Sequence, residues 1–247
     1  MLNSELKISI CHLYPDLLNI YGDMGNILAL KNRLMWRDIQ VEITEVHAGD
    51  RVNYKKHDIY FLGGGQDQQQ VTASLELQKN KDAIFKAAVD NEAVFLGICG
   101  GYQLLGHYYQ PCDGDKLSGI GLLDVYTTAG KERFIGNVTA SAKFLKPKTV
   151  VGFENHSGLT HLNPGAEPFM KVKIGNGNNG KDKTEGAKFK NVFGTYLHGP
   201  LLPKNPALCD YLISLAIKKK YGCDITLLKL NDDIETFAHK DRVGVRY

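Results

Sequence analysis

An apolar run, residues 93–98, ends in Gly97-Ile98-Cys99-Gly100-Gly101, and this G-x-C-x-G pattern limits the available folds more than any other feature of the chain. A cysteine between glycines at the end of a buried strand is the thiol form of a nucleophile elbow. The backbone there must turn sharply from strand to helix, and side chains beside the turn would clash, hence the glycines. A helix starting at Gly100 would aim its free N–H groups and the positive end of its dipole at the sulfur, favouring the thiolate. The same N–H groups can hold an oxyanion. The bland alternative is an inert buried cysteine in a glycine-bearing turn.

The surrounding pattern predicts an α/β fold, a mostly parallel sheet flanked by helices, with a β-rich second half. Strands are expected at residues 7–13, 41–46, 58–62 and 93–98, from alternation or short buried runs. Helices are expected at 26–37, 75–90 and 100–107, from apolar residues at helical spacing. Between residues 122 and 193 the segments read as short and β-rich, split by Gly, Asn and Pro. Residues 174–186 (IGNGNNGKDKTEG) read as an exposed hairpin loop. Helical spacing returns at 206–221, with Leu208, Leu212, Leu215 and Ala216 on one face. No linker divides the chain. The expectation is a single domain over 1–247, with a core at 7–202 and a C-terminal helical extension, 203–247, packed on it.

Bulk properties narrow the function classes. The chain has 247 residues, 43% of them hydrophobic and 23% charged, ordinary values for a soluble globular protein. A net charge of +3 suggests no dedicated nucleic-acid surface. The opening MLNSELKISICHLY lacks the pattern of a signal peptide, and no run approaches the roughly 18 apolar residues of a membrane span. Five cysteines, with no C-x-x-C pair, argue against a disulfide framework or a zinc site, so a reducing, cytoplasmic setting is expected.

A nucleophilic cysteine needs a base. His198 ends an apolar segment, residues 192–198, before Gly199-Pro200, and the carboxyl ends of strands are where sites form in open α/β sheets. His156, in GFENHSG (152–158), is the rival, and either could be structural. His12 and His107 read as structural. Gly63-Gly64-Gly65 follows a strand and could turn backbone N–H groups toward a substrate, although a plain flexible loop gives the same pattern.

Four segments together resemble the class I, triad-type glutamine amidotransferases, and within them the branch of the cobyric acid and cobyrinate amidating enzymes. They are LGGGQDQ (62–68), GICGGYQLLG (97–106), GFENHSG (152–158) and GTYLHGP (194–200). The resemblance implies a flavodoxin-like glutaminase with Cys99 as nucleophile and His198, over His156, as base. It further implies Gly64 and Gly100 as oxyanion donors, Arg133 in GKERFIG (130–136) for the glutamine carboxylate, and Gln103 as a second contact. No cofactor or metal is expected. The module begins near Lys7, so a fused synthetase domain is not expected. The opening LYPDLLNIYGDMGNI (13–27) adds to the likeness to a stand-alone glutaminase subunit. Such a subunit would form a heterodimer with a Mur-ligase-like, ATP-dependent synthetase and amidate the D-glutamate α-carboxylate of the lipid II stem peptide to D-isoglutamine. Another acceptor such as cobyrinate, or a non-catalytic subunit, is the alternative.

One departure stands out. Triad enzymes of this class usually carry a glutamate two residues after the histidine, and here that residue is Pro200. Glu154, or an acidic residue lent by the partner, could orient His198. A base without a built-in acid implies that the isolated chain is a weak glutaminase stimulated by its partner.

Overall fold

The structure, a computed structural model, describes residues 6–20 and 22–244. The first five residues of the N-terminal stretch and Tyr21 of the 13–27 segment lie outside the described residues, as do 245–247. The first half runs β1 (Lys7–Leu13), α1 (Met24–Met35), β2 (Gln40–Val46), β3 (Ile59–Leu62), α2 (Asp67–Lys79) and α3 (Lys81–Phe85). After α3 come a π turn (Lys86–Asp90), β4 (Val94–Ile98) and α4 (Gly100–Leu105). The second half holds β5 (Tyr108–Gln110), β6 (Leu117–Ser118), β7 (Val125–Ser141), β8 (Thr149–Leu162), β9 (Met170–Ile174), β10 (Thr184–Glu185), β11 (Ala187–Phe189) and β12 (Val192–Thr195). A 3-10 turn (Leu202–Lys204), α5 (Pro206–Tyr221) and α6 (Asp233–Arg242) complete it.

Two sheets result. The first has the order β11-β12-β4-β3-β1-β2, parallel except for β11 at its edge. Its inner strands β3, β4 and β12 are buried along their whole length, as expected of parallel strands covered on both faces. Tyr60 on β3 stacks on Phe95 of the neighbouring β4 with ring centroids 4.5 Å apart. The second sheet, β10-β9-β7-β5-β6 with β8 on β7, is mostly antiparallel. These sheets bear out the α/β class and the β-rich second half.

Three readings of the sequence need correction. The helix expected at 75–90 begins earlier, at Asp67, and breaks at Asn80. Its first turn, DQQQ, is wholly polar in sequence, so it has no apolar stripe to reveal it. Asn80 breaks it because its side chain serves the neighbouring loop, accepting the Val52 N–H at 3.0 Å and donating to Tyr14 Oη at 3.1 Å. The β segments of 122–193 are not all short: β7 and β8 are long strands, paired antiparallel with a register shift between Ala129 and Phe134. Glycines and asparagines that read as breaks lie inside that ribbon. Finally, 174–186 is not simply an exposed loop. Asn178 and Glu185 are fully buried, and Asn178 Nδ2 donates to Gly186 O at 2.9 Å while the Gly186 N–H returns to Asn178 Oδ1.

Candidate active site

Cys99 stands between β4 and α4 with φ +50° and ψ −103°. A non-glycine residue held at positive φ costs on the order of 1–3 kcal/mol and persists only where its surroundings enforce it. Here the enforcement is explicit. The Cys99 N–H donates to Thr195 O on β12 at 2.8 Å, and the Gly101 N–H donates to Gly63 O at 3.0 Å. A Cβ on Gly101 would lie 2.6 Å from Leu62 O, so α4 docks directly on the end of β3.

His198 follows β12. Its backbone N–H donates to Phe153 O on β8 at 2.9 Å and its carbonyl accepts the Phe153 N–H at 3.2 Å, a bridge joining the segment after the first sheet to the second. The ring is buried. Burial works against a charged imidazole, but the Cys99 sulfur and the Asp23 carboxylate outweigh it and push the His198 pKa up to about 10. The rival His156 is also buried, stacked on Tyr196 with centroids 3.6 Å apart. Burial pulls it down to about 4, only partly offset by its hydrogen bond to Gly158 O. Burial thus keeps His156 low, while the neighbouring sulfur and carboxylate hold His198 up. Of the two histidines read as structural, His12 is buried edge-on to Phe61 and lowered to about 4 by burial. His107 lies at the surface, 2.7 Å from Asp124.

The carboxylate nearest His198 is Asp23, at the start of α1. Its Oδ1 lies 3.7 Å from His198 Nδ1, and both side chains are buried. Glu154, the candidate the motif suggested, faces elsewhere: it accepts the Asn176 and Gly177 N–H groups at 2.9 Å each and lies 3.9 Å from His156.

Asp23 also corrects the expected oxyanion pair. Its Oδ2 accepts the Gly64 N–H at 2.6 Å, which removes that amide from the substrate side. The next glycine, Gly65, lines the cleft beside Cys99, and its nitrogen would lie 3.1 Å from a Cβ on Gly100. Gln70, one turn into α2, donates to Gly65 O at 2.9 Å and wedges against Gly100. Gly65 and Gly100 are thus the two glycines that converge.

The cleft over Cys99 has a volume of about 470 Å³, within the range of small-molecule sites. Arg133 on β7 lines it, oriented by Asn155, whose Oδ1 accepts from Arg133 Nε at 2.6 Å. Gln103 lines it too. Its Nε2 donates to Tyr196 Oη at 3.1 Å, leaving the buried Oε1 without a hydrogen-bond partner among the described residues. Gln70 Oε1 is in the same state. A cationic fork and two unpartnered carbonyl oxygens suit an α-carboxylate and an α-ammonium.

Comparison with known proteins fits this geometry. Residues 9–206 match the CobB/CobQ-like glutamine amidotransferase domain. The chain belongs to that family. It is 42% identical over 214 residues to the Staphylococcus aureus protein named lipid II isoglutaminyl synthase (glutamine-hydrolyzing) subunit GatD, covering 87% of this chain and 86% of that one. It is 41% identical over 233 residues to the subunit of the same name from Streptococcus pneumoniae, covering 93% and 88%. A solved glutamine amidotransferase shares the fold with a TM-score of 0.58 at 16% identity, covering 83% of this chain and 98% of that chain.

In this amidotransferase, of the residues the sequence pointed to, Cys99, Arg133 and Gln103 line one cleft, Gly100 follows Cys99 at the start of α4, and His198 lines a second cavity while interacting electrostatically with Cys99. The sequence reading missed Asp23 and Gln70, and within the Gly63-Gly64-Gly65 run it settled on Gly64, whose amide is bonded to Asp23. Asp23 lies within the 13–27 segment that added to the likeness, so a signal was present, but nothing local marked it as an acid facing His198.

Proposed function

We propose that this chain hydrolyses glutamine and passes the ammonia to a separate ATP-using synthetase subunit. The Cys99 thiolate attacks the carboxamide carbon of glutamine, and the tetrahedral oxyanion is held by the Gly65 and Gly100 N–H groups. The His198 imidazolium gives its proton to the departing nitrogen, which leaves as ammonia, and a γ-glutamyl thioester remains on Cys99. Neutral His198 then takes a proton from water, whose oxygen attacks the thioester. Glutamate departs and the thiolate–imidazolium pair is restored. Arg133 holds the substrate α-carboxylate, with Gln103 and Gln70 on the α-ammonium.

The observation that carries this reading is the strained elbow that sets the Cys99 sulfur beside a buried histidine whose charge that sulfur sustains. The acceptor reading is supported by the two relatives named as GatD subunits of lipid II isoglutaminyl synthase, each matched over most of its length. On that reading the partner is a Mur-ligase-like subunit, and the amidated group is the D-glutamate α-carboxylate of the lipid II stem peptide. The setting is cytoplasmic. No helix among the described residues is long and apolar enough to cross a membrane, so the membrane-bound acceptor would be met at the surface.

The test is glutamate release from glutamine by the purified chain, alone and with the synthetase. Cys99→Ala and His198→Ala are expected to abolish it while thermal melting stays cooperative. Turnover by folded Cys99→Ala at the wild-type rate would overturn the reading.

A further inference from the structure

Pro200 occupies the place where an acid would normally follow the base, and its surroundings show what stands there instead. The ring packs against the first turn of α1: a Cβ on Gly25 would lie 2.4 Å from Pro200 Cγ. Two residues later the Leu202 N–H donates to Asn26 Oδ1 at 2.8 Å, and Asn26 is fully buried. The segment after His198 is therefore clamped to the turn that carries Asp23. The same turn is knit to the glycine loop, since the Ile20 N–H donates to Gly64 O at 3.2 Å and the Gly64 N–H donates to Asp23 Oδ2. Gly63 leaves no slack, because a Cβ there would lie 2.2 Å from Leu18 O and 2.9 Å from Asp23 Oδ2.

We propose that Asp23 is the positioning carboxylate of this site: Oδ1 aligns the His198 ring and Oδ2 holds the Gly64 amide, so one buried side chain sets both the base and the oxyanion loop. The inference rests on the glutaminase reading above. With Nδ1 turned to Asp23, the ring presents Nε2 to Cys99. With the Gly64 amide engaged, the next amide, that of Gly65, is the one left to the cleft that Gly65 lines. The 3.7 Å separation is an ion-pair contact, and catalytic contacts of this kind commonly tighten only when substrate binds. The other titratable groups around His198 are His156 on β8, Glu185 on β10, Lys204 after β12, and Asp241 and Arg242 on α6. His156 is neutral, Glu185 hydrogen-bonds to Thr195 and Tyr196, and the remaining three line a second cavity together with His198.

Asp23→Asn separates the two roles, because an amide oxygen still accepts the Gly64 N–H while the charge facing His198 is gone. The full-length chain is assayed for glutamate release across pH, and the His198 ring nitrogens are titrated by NMR. In Asp23→Asn, kcat is expected to fall roughly a hundredfold or more, with KM for glutamine within about twofold. The alkaline limb of the rate and the His198 titration should both move to lower pH. Asp23→Ala should lose the loop tether as well and raise KM. A measurement on the wild-type chain guards against misfolded variants: at neutral pH the His198 Nδ1 should carry a proton. An unprotonated Nδ1, or a folded Asp23→Asn with wild-type kcat and titration, overturns the inference. If Cys99→Ala is inactive in the same assay, the glutaminase reading survives that result; if Cys99→Ala turns over glutamine normally, the reading itself has failed.

Discussion

Cys11, Cys99 and Cys209 are all buried, yet their neighbours give the three thiols different chemistry. Burial in the apolar core pushes Cys11 up to about 12 and Cys209 well up, so both remain protonated and inert. Cys99 combines a positive φ with a histidine whose charge the sulfur helps to hold. At the cleft wall, Arg133 is held by Asn155, which accepts from Nε at 2.6 Å and, through its carbonyl, from Nη2 at 3.4 Å. Arg133→Ala is expected to weaken glutamine binding at least about tenfold, since a charge-assisted contact is worth about 1.5–3 kcal/mol, with little change in melting temperature. Calorimetric titration of a Cys99→Ala background measures this directly, and unchanged affinity would remove Arg133 from the site. Cys99 was legible because it sits in a short motif whose neighbours say what the backbone must do, whereas His198 was set apart from His156 only by the family resemblance. Asp23 was not legible, because its partners His198 and Gly64 meet it only through tertiary contact, and an acid in a loop carries no local mark of that. Pro200 marked a missing acid and gave no direction toward its replacement.

The elements that present these residues depend on buried polar groups that the sequence read as loop. Glu185 on β10 accepts Thr195 Oγ1–H at 2.6 Å and the Tyr196 N–H at 2.8 Å, anchoring the end of β12 from which His198 extends. Full burial raises its pKa from 4.5 to about 7, outweighing those two hydrogen bonds. The folded state therefore binds this proton more tightly than the unfolded chain does. Its stabilising contribution is complete below pH 4.5 and fades as pH rises to about 7. Glu185→Gln is expected to flatten that portion of the stability profile, a difference on the order of 3 kcal/mol across the window. Denaturant unfolding of both proteins on either side of the window checks it, and parallel profiles would contradict it. The glycine and asparagine run hid this role because turn-forming residues look alike in sequence whether their polar groups meet water or one another. The parallel strands of the first sheet were legible for the opposite reason, since burial on both faces forces continuous apolar runs. The first residues of β2, β3 and β4 still moved by one position, as hydrogen-bond boundaries commonly do.

At the scale of the whole molecule, the candidate active site lies where the two sheets meet. Cys99 belongs to the first sheet, Arg133 and His156 to the second, and the His198–Phe153 bridge ties them together. With Asp23 supplying a carboxylate from within the chain, the isolated protein is expected to hydrolyse glutamine at a measurable rate and the synthetase to raise it. An isolated chain without turnover, activated by the synthetase and indifferent to Asp23→Asn in the complex, would place the acid on the partner instead. The nucleophile itself is tested most directly by covalent labelling. The full-length chain is treated with an electrophilic diazoketone analogue of glutamine, digested, and mapped by mass spectrometry. The expected result is one adduct on Cys99, blocked by excess glutamine and strongly slowed in His198→Ala. Adducts on Cys11, Cys112, Cys209 or Cys223 in place of Cys99, or equal labelling without His198, would contradict the assignment of this site.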